Sequence, residues 1–534
     1  MKKLFFVSML MTLLLVHCSN ILRFPKLVIF ISIDQGTPSM INKYNHLFTG
    51  GYKWLLEHGI KFENAYHEHG NTSTAPGHFA LSSGRHPGTN GILGNQWFHR
   101  ELKRGWYCVE DSLSTNLTDL SDGRSYENIN SLGIGDWVKN KYKNSKIVSI
   151  SGKDRAAIML GGKNPDIAIW YDRKGQYTTS TYYSSKLPNW LTNFNAKLNV
   201  ISYLDTVWVP IYDEEVYSNN ARADYYLGET SFWGKDGKYD PTFPISFKSM
   251  GEKSFLNSFH YTPFGDKALL DLAEISIEEY DLGLDDNPDI LFLALSATDG
   301  VGHDNGPYSY EQLDTQLRLD QYLGDFIKNQ EDKFGKGNVL YILTSDHGVL
   351  ELPEYLSEQG INSGRISKAE RDSIYNVALE KIRYKVGSNK VYEYENSFYF
   401  DSSMNVEDKN FATKVLKKEL IKITGIDSVA TKYDLFNGGE DHISNRLKNM
   451  IDIDKSPDIY LILKKYWIYN SKTGTTHGSP YDYDAHIPLI FATGNTKSSM
   501  RDEYIRSVDI APSLAKILKI KYPKDIDGKA FLIK

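Results

Sequence analysis

Four apolar runs in this chain are bounded by carboxylate or imidazole side chains, and this repetition constrains the fold more than any other feature. LVIFISID closes on Asp34, LFLALSATDGVGH carries Asp299 and His303, VLYILTSDHG carries Asp346 and His347, and GTTHGSP sets His477 just before HIPLIF. A carboxylate at the end of a buried strand is costly unless something pairs with it. Delivered from several strand ends, Asp and His together form the donor set that a two-zinc hydrolytic site requires. Between the first run and the others lies NTSTAPGH, with Thr74 beside a Pro-Gly turn.

Short apolar runs alternate with amphipathic stretches, which predicts an α/β fold: a central, mostly parallel sheet, helices on both faces and inserted cap segments. Expected core strands are Leu27–Ile33, Lys146–Ile150, Ile290–Leu295, Val339–Leu343 and Pro488–Ala492. Expected helices include Pro76–Ser83, Lys267–Tyr280, Ser309–Asn329 and Val508–Ile517. The metal-type residues then fall at the carboxyl ends of strands, where open α/β sheets hold their ligands. Two stretches break the alternation, at about 170–259 and about 361–453, and both read as insertions that roof or flank the site. The chain from 19 to 534 is thus expected to be one catalytic domain with those two insertions, since large α/β enzymes often elaborate a single core.

Composition narrows the partners. A formal net charge of -6 argues against nucleic acid and against an anionic membrane surface. The 36 tyrosines show no period and read as compositional bias, not as a stacking platform. Lys2 and Lys3 precede the apolar run Leu4–Val16, the layout of a secretory signal and too short for an ordinary membrane span. Residues 1–18 are therefore expected to be a leader, with the protein periplasmic or otherwise exported. Cys18 stands where a bacterial lipoprotein carries its lipidated cysteine, although Leu15-Val16-His17 lacks the small residue expected before it. That lipid would be the only membrane attachment. The other cysteine, Cys108, reads as a quiet structural thiol, and disulfides cannot form a framework here.

The spacing of the donors is chemically specific. Asp299 and His303 are separated by three residues, so a tight loop or one helical turn brings both to a single ion. Asp346 and His347 would point to opposite faces of a strand, so they belong just beyond it, in the loop opened by Gly348. A lone Asp-His-Gly is ordinarily a capped turn; its company argues otherwise. His67-Glu68-His69 and Asp441-His442 have suitable side chains but follow no apolar run, and both read as surface residues. Thr74 precedes Ala75-Pro76-Gly77 and is expected at a helix N-terminus, where backbone N–H groups favour oxyanions. Thr72 and Ser73 are its rivals for a plain capping role.

Taken in order, ISID, TAPGH, GNQWF, SGKDRAA, TSTYY, TDGVGH, SDHG and THGSP make the chain resemble the alkaline phosphatase superfamily, most closely its PafA-type monomeric phosphatases. The resemblance implies two Zn²⁺ per chain, with Asp299, His303 and His477 on one ion. Asp34, Thr74, Asp346 and His347 would hold the other. His486 is a nearby alternative to His477, but THGSP matches the family motif. Thr74 would be the nucleophile, and Asn95, Lys153 and Arg155 would bind the phosphoryl oxygens. Asp154 is expected to orient its neighbours or face solvent.

These residues also sort the relatives. Sulfatases need Cys or Ser at the nucleophile position, and phosphoglycerate mutases use serine in the cytosol. Phosphodiesterases and nucleotide pyrophosphatases share the threonine and the asparagine and are the serious competitor. A Lys-Arg pair favours the more anionic monoester. The expectation is therefore an exported monomeric phosphatase acting on small phosphate monoesters through a phosphothreonine. A non-catalytic zinc- or phosphate-binding protein on the same scaffold is the remote alternative.

Overall fold

The computed structural model describes residues 24–127, 129–230, 242–469 and 472–533. The expected leader, with Cys18, lies outside the described residues. The run LVIFISI forms a strand, β1 (Leu27–Ile33), that is buried along its whole length. Leu27, Ile29, Ile31 and Ile33 enter one apolar cluster and Val28 and Phe30 the opposite one, so both faces of the strand are covered. That is why the run is continuously apolar and does not alternate. Each such side chain contributes about 1.5–3 kcal/mol on burial.

Eight further strands join it. They are β2 (Gly59–Tyr66), β3 (Ile147–Ser151), β4 (Ile167–Tyr171), β5 (Tyr177–Thr178), β6 (Asp289–Leu295), β7 (Val339–Thr344), β8 (His486–Ala492) and β9 (Ser499–Arg506). Their spatial order is β9-β2-β8-β7-β1-β6-β3-β4-β5. From β7 to β4 every neighbour is parallel, while β8 and β5 join antiparallel. The expected strands are present within a few residues, and β2, β4, β5 and β9 are additions. β2 mixes Lys61, Glu63 and Asn64 into its run, and β9 is an edge strand exposed along much of its length, so neither has an apolar signature.

Helices cover both faces. On one lie α1 (Thr74–Ser83) and α2 (Asp154–Gly161), which contribute Leu81, Ala156 and Leu160 to the second cluster. On the other lies α3 (Pro263–Glu279), with Leu269 and Leu272 in the first cluster. The short α4 (Ala297–Asn305) follows β6, and α5 (Tyr310–Phe334) packs with α3 on the same face. Finally α6 (Ile510–Ile517) returns to the second cluster through Leu514.

The two stretches outside the alternation differ. Within 170–259, the described Trp208, Tyr217, Phe247 and Phe255 are buried in the first cluster of the central sheet. The stretch from 361 onward instead builds a separate four-stranded sheet, in the order Val391–Tyr394, Ser397–Phe400, Ile459–Leu463 and Ile426–Thr431. Its own apolar cluster includes Phe398, Leu416 and Ile459. Its third strand lies beyond position 453, because the chain closes this sheet before it returns to the central one.

Candidate active site

Register brings the donors together. Ile33 of β1 is paired with Leu295 of β6, Ser32 with Thr344 of β7, and Ala294 of β6 with Ser151 of β3. Four adjacent parallel strands thus end level, and the residues that follow them emerge side by side. Asp34 comes immediately after β1. Asp299 and His303 lie one turn apart on α4, and Asp346 and His347 lie in the loop past β7. Gly348 N–H donates to Asp484 O at 2.7 Å and fixes that loop. Gly77 of α1 lies against it as well; a Cβ there would stand 2.0 Å from Asp346 O, so only glycine lets helix and loop meet.

Two groups of donors result. In the first, His303 Nε2 lies 3.2 Å and His477 Nε2 3.7 Å from Asp299 Oδ1. In the second, donor atoms of Asp34, Asp299 and His347 all lie within 4.8 Å of one another. Asp346 Oδ2 adds a contact of 3.3 Å to His347 Nε2. Asp299 therefore takes part in both groups, not in one alone. The rings of His347 and His477 stack at 3.6 Å between the groups. His486 stands elsewhere, with Nε2 at 2.7 Å from Glu63 O and its ring stacked on Tyr66.

Main-chain carbonyls set the imidazoles. Nδ1 of His303, His347 and His477 lies 3.0, 3.0 and 2.8 Å from the carbonyls of Thr475, Gly348 and Thr72. With Nδ1 held by a carbonyl, each ring turns its Nε2 toward the carboxylates, the orientation a metal ligand needs.

The charges are strongly coupled. Lys153, at the start of α2 and nearly fully buried, places Nζ 2.5 Å from Asp34 Oδ2 and 2.6 Å from Asp299 Oδ2. Burial pushes the Asp299 carboxyl up, but Lys153 and His303 outweigh it and hold it well below the usual range. Burial dominates at Asp34 and Asp346 and raises both. Burial also lowers His347 and His477 well below a free imidazole, whereas Asp299 overcomes it at His303 and lifts that ring to about 9. Three buried carboxylates share one ammonium, so the cluster is short of cations. Asp34 Oδ1, Asp346 Oδ2 and His347 Nε2 are buried without a hydrogen-bond partner. This oxygen and nitrogen donor set fits divalent metal ions.

Thr74 opens α1. Ser73 occupies the capping position without a side-chain cap, and the Thr72 hydroxyl donates to Ser479 O, so neither rival takes the role of Thr74. Arg155 Nη2 lies 3.4 Å from Thr74 Oγ1, and Ala75 N–H donates to Asn95 Oδ1 at 2.9 Å, which sets the asparagine beside the threonine. Asp154 accepts from Tyr107 OH at 2.5 Å and from Arg124 Nε at 3.1 Å, and so braces the arginine next to it.

Several residues carry the geometry without having been singled out. Gln35 has a positive φ of 67°, which turns its N–H to Asp346 Oδ1 at 3.1 Å and its side-chain amide to Asp299 Oδ1 at 3.0 Å. His78 Nδ1 lies 2.9 Å from Thr74 O and 3.2 Å from Asp346 Oδ2; its place one helical turn after Thr74 was the available signal. Tyr107, too far from any motif, had none. The reading of His67-Glu68-His69 as surface is overturned: both histidines are fully buried and Glu68 is 6% exposed. They follow β2, whose polar residues disguise it as a loop, and His67 Nε2 lies 3.0 Å from Ser345 O behind the Asp346 loop. Asp441 and His442 are exposed, and Asp441 caps a helix.

Asp266 of α3 accepts N–H groups of Ser296 and Ala297 at 2.9 and 3.2 Å and anchors the start of α4. Burial pushes its carboxyl up to about 7. A carboxyl raised on folding gives its full contribution below the unfolded value of about 3.9 and loses it as pH climbs to the folded one. Asp266→Asn is therefore expected to gain in Tm on the parent between about pH 5 and pH 8. A Tm difference independent of pH would refute this account.

Comparison with known proteins places this geometry in a family. Residues 28–486 match the family described as type I phosphodiesterase / nucleotide pyrophosphatase. Alkaline phosphatase PhoV of Synechococcus elongatus is 33% identical over 95% of this chain and 92% of its own. Alkaline phosphatase PafA of Elizabethkingia meningoseptica is 31% identical over 96% and 94%. The crystal structure of wild-type PafA superposes with a TM-score of 0.88, covering 96% of this chain and 99% of that one. A solved variant of PafA substituted at one threonine, one asparagine, one lysine and one arginine, in that order along its chain, matches at 0.88 as well. The chain belongs to the type I phosphodiesterase / nucleotide pyrophosphatase family, within the alkaline phosphatase superfamily. More narrowly, it is an enzyme of the PafA type, a phosphatase of that superfamily.

Proposed function

We propose that this chain is an exported two-zinc phosphatase that hydrolyses phosphate monoesters and releases inorganic phosphate through a phosphothreonine at Thr74. The observation that carries this reading is the placement of the Thr74 hydroxyl against Arg155, on a helix packed onto a loop of cation-deficient donors. Asp299, His303 and His477 would hold one ion, and Asp34, Asp346, His347 and Thr74 the other, with Asp299 close to both. Bound there, zinc ions would supply Lewis acidity that lowers the pKa of the attacking hydroxyls and offsets charge on the leaving oxygen.

The chain's own residues perform the rest. Thr74 Oγ1 attacks phosphorus in line; its bond to phosphorus forms as the bond to the leaving oxygen breaks, and that oxygen departs with the electron pair and takes a proton. Water then attacks from the side the first leaving oxygen vacated, opposite Thr74. As its oxygen bonds to phosphorus the bond to Thr74 Oγ1 breaks, that oxygen leaves with the electron pair and regains a proton from the water, and phosphate is released. Arg155, braced by Asp154 and Tyr107, presents its planar fork to the phosphoryl oxygens, and Asn95 adds an amide N–H. Lys153 contributes a buried positive charge at the back of the site. The four positions substituted in the PafA variant are of the same types and order as Thr74, Asn95, Lys153 and Arg155.

The family name keeps a phosphodiesterase reading in play. The Lys153/Arg155 pair separates the two, because a diester carries one less charge. Replacing both with alanine is expected to lower kcat/KM for an aryl phosphate monoester about tenfold or more beyond its effect on the methyl diester. Equal losses would transfer the assignment to phosphodiesterase. The Lys2–Val16 segment supports export, and the net charge of -6 supports small esters over nucleic acid as partners. A monomer is the expected state, and a lipid on Cys18 the only expected membrane contact.

A further inference from the structure

The inserted stretch 170–259 reaches the donor-bearing segments through one buried side chain. Arg222 is 8% exposed and follows the helix Glu214–Asn220, and its N–H donates to Tyr308 O at 2.9 Å. Nη1 of its guanidinium donates to Glu351 Oε1 at 2.7 Å, while Nη2 donates to Glu229 Oε1 at 2.9 Å and to Asn305 O at 2.5 Å. Asn305 ends α4, two residues past His303, and Glu351 lies four residues past His347. Gly306 leaves room for this junction: a Cβ there would stand 3.1 Å from Glu351 Oε1 and 3.3 Å from Arg222 Nη2.

The residues after Arg222 continue the same tie. Thr230 N–H donates to Asp304 O at 2.8 Å, and Gly228 O accepts from Gly474 N–H at 2.6 Å. Thr475 in turn donates its N–H to His303 O at 2.8 Å and its hydroxyl to Leu350 O at 2.8 Å. The last turn of α4, the loop before His477 and the loop after His347 are thus joined at 222–230, which supplies neither donor group with a ligand atom. Asp34 and Asp346 sit close to strand tips, whereas His303 and His477 stand farther out, on a short helix and a loop.

Resting on the two-zinc reading above, we propose that Arg222 is a positioning residue that clamps the last turn of α4 to the loop after β7. It thereby fixes His303 and His477 on Asp299, and the affinity of that one ion depends on it. A guanidinium suits this task, because its planar fork holds three oxygens at set angles; an ammonium on a flexible stem does not. Groups that orient metal ligands from behind are worth about ten- to a hundredfold in metal affinity.

The test is a zinc titration of the metal-free protein against a chromophoric chelator. Arg222→Ala would strand two buried carboxylates, so the tie is removed as Arg222→Met with Glu229→Gln and Glu351→Gln, which leaves no stray charge. One zinc ion is expected to bind about tenfold or more weakly. The other should change by no more than about twofold. In a His303→Ala background, which already lacks a ligand of the first group, the same three substitutions should leave the tighter ion unaffected. Arg222→Lys keeps the charge without the fork and carries the same expectation; it decides the matter if the triple variant does not fold. Unchanged affinities, full affinity in the lysine variant, or weakening of the tighter ion in the His303→Ala background would overturn the proposal. So would equal weakening at both ions with a lower Tm of the metal-free protein, the mark of a merely structural role. Phosphate release is scored apart: a parent that binds two zinc ions yet releases none from an aryl phosphate overturns the phosphatase reading and leaves the titration to judge Arg222.

Discussion

Thr74→Ala is expected to lower turnover of an aryl phosphate by about four orders of magnitude or more while the fold survives. Only the hydroxyl and the γ-methyl group are removed, and α1 keeps its anchors: Gly77 against the Asp346 loop and Ala75 N–H on Asn95. Thermal unfolding should therefore change little. The assay must exclude contaminating phosphatase, and the parent should show a stoichiometric burst of alcohol that precedes steady-state phosphate release if breakdown of the phosphothreonine is slow. Substantial turnover by the alanine variant would remove Thr74 from the mechanism and leave direct attack by water as the alternative.

Asp299→Ala is expected to be nearly as severe, for a different reason. Asp299 Oδ1 faces His303, His477 and Gln35, while Oδ2 accepts from Lys153. Loss of this side chain removes the one carboxylate that belongs to both donor groups and leaves the Lys153 ammonium with Asp34 alone. Activity should fall by about three orders of magnitude or more. Metal content per chain, measured on the purified protein, should fall below that of the parent at both positions. A variant that retained two ions per chain would show that the groups are independent, with Asp346 sufficient for the second. In the parent, a chelator should abolish activity and zinc should restore it.

The fold was legible where the sequence had no freedom. β1, β6 and β7 are buried on both faces, so their runs had to be apolar from end to end, and Asp34, Asp299 and Asp346 stood out against them. Glycine at 77 and Asp-His-Gly at 346–348 carried the same kind of compulsion. Long-range contacts had no such signature. Nothing in ENAYHEH announces a strand that buries two histidines, because β2 pairs with residues more than four hundred positions away. Gln35 and Tyr107 act through partners that only the folded chain supplies. Asp299 illustrates the boundary well: its identity as a ligand type was evident, but its position between both groups depends on the angle at which α4 leaves β6.

The four-stranded sheet encloses an apolar cluster of its own and supplies Tyr394 and Tyr460 to the wall of a cavity of about 390 Å³ beside His477, yet none of the Asp or His donors. Selection can thus remodel that sheet around its own core while the strand tips that carry the donors stay untouched.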